Sequence, residues 1–238
     1  MDHDAPVAAE LAAAIRSGDV PALQRLLAAR AGLAGERITG PRGGTTTPLH
    51  IVTDWPGYFP EGPAIARLLI AAGADPSAPT TGGKPETPLH YTASTDDADV
   101  ADVLIGGGAD LEVPGGSIGT PLENAVGYGC WHVARLLAAR GAQVDRLWTA
   151  AALGLLPRVA DLLALGPAAE DLNEAFWQAC HGGQRRAAEL LLNHGADPSA
   201  VPGYSGQTAA QAAAAPDTRR ENVVTWLRER AGVNADGA

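Results

Sequence analysis

Apolar residues recur along the chain in a two-part pattern. A short run with small residues near its centre is followed by a polar or glycine-containing break, then by a longer run carrying an apolar pair and ending on glycine. The small pairs Thr92-Ala93, Ala150-Ala151 and Ala179-Cys180 suit a first helix that lies close against its neighbours. The pairs Leu68-Leu69, Leu136-Leu137, Leu162-Leu163 and Leu191-Leu192 predict a second helix with one buried face. Gly73, Gly108, Gly141 and Gly195 stand where a left-handed residue closes such a helix. Stretches such as APTTGGKPE and VPGGSIG have the composition of turns between the pairs. The predicted class is all-α, built from paired helices.

The pattern is a true repeat. TPLHYTASTDDADVADVLIGGGAD (87–110) and TPLENAVGYGCWHVARLLAARGAQ (120–143) align without a gap, and 33 residues separate Thr87 from Thr120. Further copies cover 7–30, 47–75, 145–166, 174–197 and 206–232, the first and last reading as terminal caps. Period and TPLH motif together make the chain resemble the ankyrin-repeat family over nearly its whole length. The resemblance implies an ankyrin solenoid of helix-turn-helix units with short projecting turns, a single domain over 1–238. One such unit cannot bury its apolar face alone, whereas a stack can.

Three departures from the repeat stand out. AGLAGERITGPRGGTT replaces a short connection and is expected to be a mobile loop. Asp145 follows Thr120 by only 25 residues, so the projecting turn there should be almost absent. The copy that begins at Thr47 reaches its glycine, Gly73, after 26 residues, where Thr87 to Gly108 takes 21. The surplus falls in WPGYFPEG (55–62), three aromatics and two prolines where a tight turn belongs.

Composition narrows the partners. The formal charge is −10, 16 of the 17 basic residues are Arg, and no basic stripe exists to neutralise phosphates, so nucleic acid is not an expected partner. The Arg, Ala and Gly richness suggests a GC-rich bacterial source. The acidic start MDHDAPVAAELAAAIRSGD lacks the basic region of a secretory signal, and no apolar run reaches the ~20 residues of a membrane span. No membrane association is expected, and the cytoplasm is the expected location. Cys130 and Cys180 form neither a CxxC pair nor zinc-finger spacing, and neither GxxxxGK[ST] nor HExxH occurs. No cofactor and no metal are expected.

The resemblance also places candidate residues. In the family, partners are held by the projecting loops and the concave face of the first helices, and positions seven and eight after the Thr commonly face that groove. In this sequence these are Asp54 and Trp55, Ser94 and Thr95, Gly127 and Tyr128, Ala152 and Leu153, His181 and Gly182. With Tyr58, Tyr91, Asp96, Trp148 and Trp177 they define the expected binding groove. Trp148 and Trp177 occupy the His position of TPLH, which His50, His90 and Glu123 hold elsewhere. In the family that His braces adjacent repeats, and Trp can replace it as packing. WPGYFP reads either as a stiff aromatic lip beside the groove or as cover for the first repeat. Asp54, Asp96 and Asp97 read as acid/base carboxylates or as helix caps. Cys180 and His181, about 100° apart on a helix, do not face each other. The expected function is a non-enzymatic module that recognises a protein partner. The alternative is a small-molecule pocket, catalytic or not, in the same groove.

Overall fold

Threonine followed by proline opens the first helix of a pair, and the structure shows why. Thr87 Oγ1 accepts from His90 N at 3.4 Å and Thr120 Oγ1 from Glu123 N at 3.3 Å. Pro88 and Pro121 occupy the first helical position, where a missing N–H costs nothing. The computed structural model describes residues 1–41, 43–214 and the single positions 224, 227 and 228. The chain divides into two compact units, Met1–Ala142 and Gln143–Ala238.

The first unit holds four helix pairs: α1 (Pro6–Ser17) with α2 (Val20–Ala29), α3 (Pro48–Thr53) with α4 (Gly62–Ala71), α5 (Pro88–Thr95) with α6 (Ala98–Gly106), and α7 (Pro121–Gly127) with α8 (Trp131–Ala139). Leu11, Leu23, Leu49, Leu69, Leu89, Leu104, Leu122 and Leu137 are fully buried, one from each of the eight helices. Every helix therefore sends one large aliphatic side chain into the shared core. The second unit holds α9 (Leu147–Leu153) with α10 (Leu156–Leu163), α11 (Ala169–His181) with α12 (Arg185–Asn193), and α13 (Ala209–Ala213). Its core gathers Val159, Phe176, Cys180 and Leu191 with alanines of α9 and α11. The alanines let those two helices pack closely. Gly73, Gly108, Gly141 and Gly195 all have φ between +91° and +96°, as a glycine closing a helix requires. Among the described residues no helix is long and apolar enough to cross a membrane.

Two expectations need correction. The connection after α2 is more than a loop: Leu33–Gly35 forms a 3-10 turn, and β1 (Ile38–Thr39) pairs antiparallel with β2 (Thr45–Thr46). Leu33, Ala34 and Ile38 are buried, and Thr45 bridges to Thr81 of the next connection. The glycines and prolines of this stretch hide an apolar, β-branched framework that suits a strand pair. The second correction concerns α11, which starts at Ala169, five residues before the Glu174 that the repeat alignment places at a helix start. Asp171 caps it by accepting from Ala168 N at 3.2 Å, and Glu170 and Asp171 place negative charge at the positive end of the helix dipole. The terminal copy expected over 206–232 lies mostly outside the described residues; α13, capped by Thr208, is its described part.

Candidate functional site

In the first unit, the turns at the C-terminal ends of α1, α3, α5 and α7 are tied together by carboxylates. Arg16 reaches Asp54 at 3.5 Å. Asp97 is buried and accepts from two directions: Val100 N at 3.1 Å, which caps α6, and Tyr58 N at 3.0 Å, which anchors the WPGYFP segment. Asp96 takes a left-handed conformation, φ 59°, and extends to the following pair, accepting from Val133 N at 3.0 Å and from His132 Nδ1 at 2.7 Å. Tyr58 closes the set by donating its hydroxyl to Asp96 O. Asp96 and Asp97 thereby act as caps and anchors.

The WPGYFP segment is fixed on both sides. Gly57 lies against Thr95 so closely that a Cβ would come within 2.7 Å of the Thr95 Cβ, and Pro60 meets Gly18 of the first pair in the same way. Phe59 is half-buried. Trp55 and Tyr58 point away: they are 76% and 61% exposed. Pro60 thus meets the first pair, while the Trp55 and Tyr58 rings are largely exposed. Tyr128, exposed, ends α7 on the same row of turns, and Ile118, also exposed, lies over Gly127 beside it. Ser94 and Thr95 donate their hydroxyls to Tyr91 O, and Tyr91 packs edge-on to His50 with centroids 5.0 Å apart. Burial raises the Tyr58 and Tyr91 hydroxyl pKa values, with help from Asp96 and Asp54 respectively, so both stay neutral.

The His rung braces the repeats. His50 Nδ1 accepts from Thr47 N at 3.1 Å, which leaves Nε2 to donate to Glu86 O at 3.0 Å. His90 repeats this with Thr87 N and with Gly119 O at 3.1 Å. Burial depresses both, His50 to about 4, so each remains neutral. In the second unit Trp177 takes the same part, donating Nε1–H to Gln207 O at 2.9 Å. It is buried, stacks on His181 with centroids 4.9 Å apart and meets Tyr204 edge-on at 5.7 Å. Trp148, on the preceding rung, is half-buried and lines a cavity of about 240 Å³ together with Glu174. Repeat spacing singles out neither Glu174 nor Tyr204 as a site residue. Tyr204 donates to Glu174 and receives Gln178 Nε2 at 3.2 Å, and burial of its hydroxyl pushes it up to about 12.

The thiols are inert packing groups. Burial raises Cys130 to about 11 and Cys180 to about 12, far from the thiolate that nucleophilic or redox chemistry needs. Among the described residues, one group of metal-ligand type comes together, the exposed Asp2 and Asp4 with the half-buried His3.

Comparison with known proteins follows the same lines. The family described as Ankyrin repeat matches residues 86–115, one of the two copies with an intact TPLH. The crystal structure of the ankyrin repeat domain of Bcl-3, described as a unique member of the IkappaB protein family, is similar over 96% of this chain and 100% of its own, at 26% identity and a TM-score of 0.53. The human ASB11 ankyrin repeat domain is similar in fold over 96% and 99%, at 22% identity and a TM-score of 0.53. No curated protein matches the chain.

Proposed function

Since this chain is an ankyrin-repeat protein, and such repeats are generally protein–protein interaction modules, we propose that it holds a partner protein on the row of turns that carries Trp55, Tyr58 and Tyr128. The observation that supports this most is the combination of exposure and fixation in WPGYFP. Two large rings stand in solvent while the backbone between them is bonded to Asp97 and wedged against Thr95. Rigid aromatic side chains offer large contact area at little cost in entropy, which is what interface anchors need. Rings this open form a surface, not the walls of an enclosed pocket, and that favours a protein over a small molecule. The acidic balance of the chain favours a neutral or basic partner. Two buried, unoxidised thiols suit the cytoplasm as the place of this interaction.

A photo-crosslinking amino acid placed at 55 or 128 of the full chain, in its native cell, tests the proposal. One protein should be captured from both positions and not from 67 or 135, which are exposed on the second helices α4 and α8. Equal capture from all four positions would remove the assignment of the row of turns.

A further inference from the structure

The second unit contains a site that the interaction surface above does not use. Its cavity of about 240 Å³ lies among the start of α9, the end of α10 and the additional first turns of α11. The walls change character from one part to another. Trp148, Leu165 and Pro167 supply apolar surface, and Asp171 and Glu174 supply carboxylates. Leu165 is 80% exposed, an apolar side chain left standing at the rim.

The charges are unequal. Asp145, Asp171 and Glu174 line the cavity against the single cation Arg146. Asp145 is held by Arg158 at 3.0 Å, Asp171 caps its own helix through one oxygen, and Glu174 accepts the Tyr204 hydroxyl and feels Arg146, so the three carboxylates together keep the cavity net negative. Burial, then the neighbouring Asp171, raises the Glu174 pKa. Asp171, Glu174 and Gln178 follow one another at i, i+3 and i+7 and so share a face of α11. A helical side chain leans toward the N-terminus, which carries Gln178 toward Glu174. Its Oε1 is buried and has no hydrogen-bond partner among the described residues. Apolar walls, an aromatic face, three carboxylates against one cation and a spare acceptor nearby together call for a long side chain with a cationic, donor-rich tip.

We propose that this cavity receives an arginine side chain of a partner protein, its alkyl stem along Leu165 and Pro167, its guanidinium plane against Trp148 and its N–H groups on Glu174 and Asp171. Arginine fits better than lysine because a planar, weakly hydrated guanidinium both stacks on an indole and pairs with carboxylate through two parallel bonds. The inference rests on the reading of the chain as a protein-binding module, but on other residues and in the other unit.

The test needs no partner. N-acetyl-arginine N-methylamide is titrated into the full-length protein while the Trp148 indole N–H is followed by NMR, its signal identified by its loss in Trp148→Phe. A saturable shift is expected, with a Kd of ~1–10 mM for a single side chain. The citrulline analogue, which keeps the shape and loses the charge, should bind at least tenfold more weakly, and the lysine analogue more weakly than arginine. Glu174→Gln should weaken the arginine compound at least fivefold. Asp171→Asn should weaken it less, and the unchanged amide spectrum of each variant shows that it folds. The absence of a saturable shift, an equal response to citrulline, or full binding by Glu174→Gln would overturn the proposal. Tighter binding of free L-arginine than of the blocked residue would overturn the partner as its source. None of these results touches capture at 55 and 128, so the two claims fail separately.

Discussion

Trp177 donates its indole N–H to Gln207 O at 2.9 Å, and His90 makes the equivalent bond to Gly119 O at 3.1 Å. Two different ring chemistries thus occupy one structural part. A ring N–H from the first helix satisfies a carbonyl of the next connection, a bond that ties neighbouring repeats and fixes the start of the following helix. In the second unit the same ring is also a core residue, stacked on His181.

Removal of Trp177 should therefore cost more than removal of a surface ring. Trp177→Ala is expected to lower unfolding free energy by about 3–5 kcal/mol, the usual range for a buried Trp. Trp177→His should recover part of this, because imidazole Nε2–H can reach the same carbonyl. Urea unfolding of both variants checks the point, and equal stability of the two would show that packing alone matters there.

His50 makes stability depend on pH. In the folded chain it stays unprotonated down to about 4, whereas its ordinary pKa is 6.5. Between these values the unfolded chain binds the extra proton, so stability is full above 6.5 and falls as the pH is lowered through the window. By pH 4 the loss from His50 should be roughly 3 kcal/mol. His50→Gln should show a smaller decrease than wild type between pH 7 and 4.5, and a parallel decrease in the two proteins would contradict the neutral-brace account.

Asp97 links the lip to α6, and its loss should be felt in both. Asp97→Ala leaves Val100 N and Tyr58 N without their acceptor, at an expected cost of about 2 kcal/mol. Hydrogen exchange should rise at Tyr58 as well as at Val100. A rise at Val100 alone would mean that Thr95 and Gly18 hold the lip without Asp97.

Gly57→Ala tests the wedge itself. With φ +78° and a Cβ within 2.7 Å of the Thr95 Cβ, the substitution is both strained and crowded. The expected cost is about 1–3 kcal/mol, read as a lower urea midpoint, with Thr95→Ala in the same chain relieving part of it. No relief would place the cost in the backbone conformation alone.

Much of this was legible in the sequence, and the rest was not for definite reasons. The helix pairs followed from spacing because Thr-Pro starts, apolar pairs and closing glycines are all local signals. The strand pair at 38–46 was missed because each strand is only two residues long, too short to show an alternating pattern, and the bridges that flank it run to Asp2 and Thr81, distant in sequence. The start of α11 was misplaced because alignment to the repeat overrode the helix-forming character of PAAEDLNE. At the candidate site, Trp55 and Tyr58 were identifiable as surplus to the repeat. That Asp96 and Asp97 hold that surplus could not be read, since the bonds cross between copies 38 or 39 residues apart. The cavity in the second unit had no local signature: it exists because α11 begins early and Trp148 stands beside it.

The central claim is that Trp55 and Tyr58 are anchors for a protein partner. Its most direct measurement is the affinity, by calorimetry, of the protein captured at position 55 for Trp55→Ala and Tyr58→Ala, compared with Arg67→Ala and Arg135→Ala. The account predicts losses of about 2 kcal/mol or more for each ring, roughly 30-fold in Kd, at an unchanged unfolding midpoint for Trp55→Ala, with Tyr58→Phe, which keeps the ring and loses only the bond to Asp96 O, binding better than Tyr58→Ala. The two arginine variants should bind as the wild type does. Ring variants that bind normally, or arginine variants that lose as much, would contradict it.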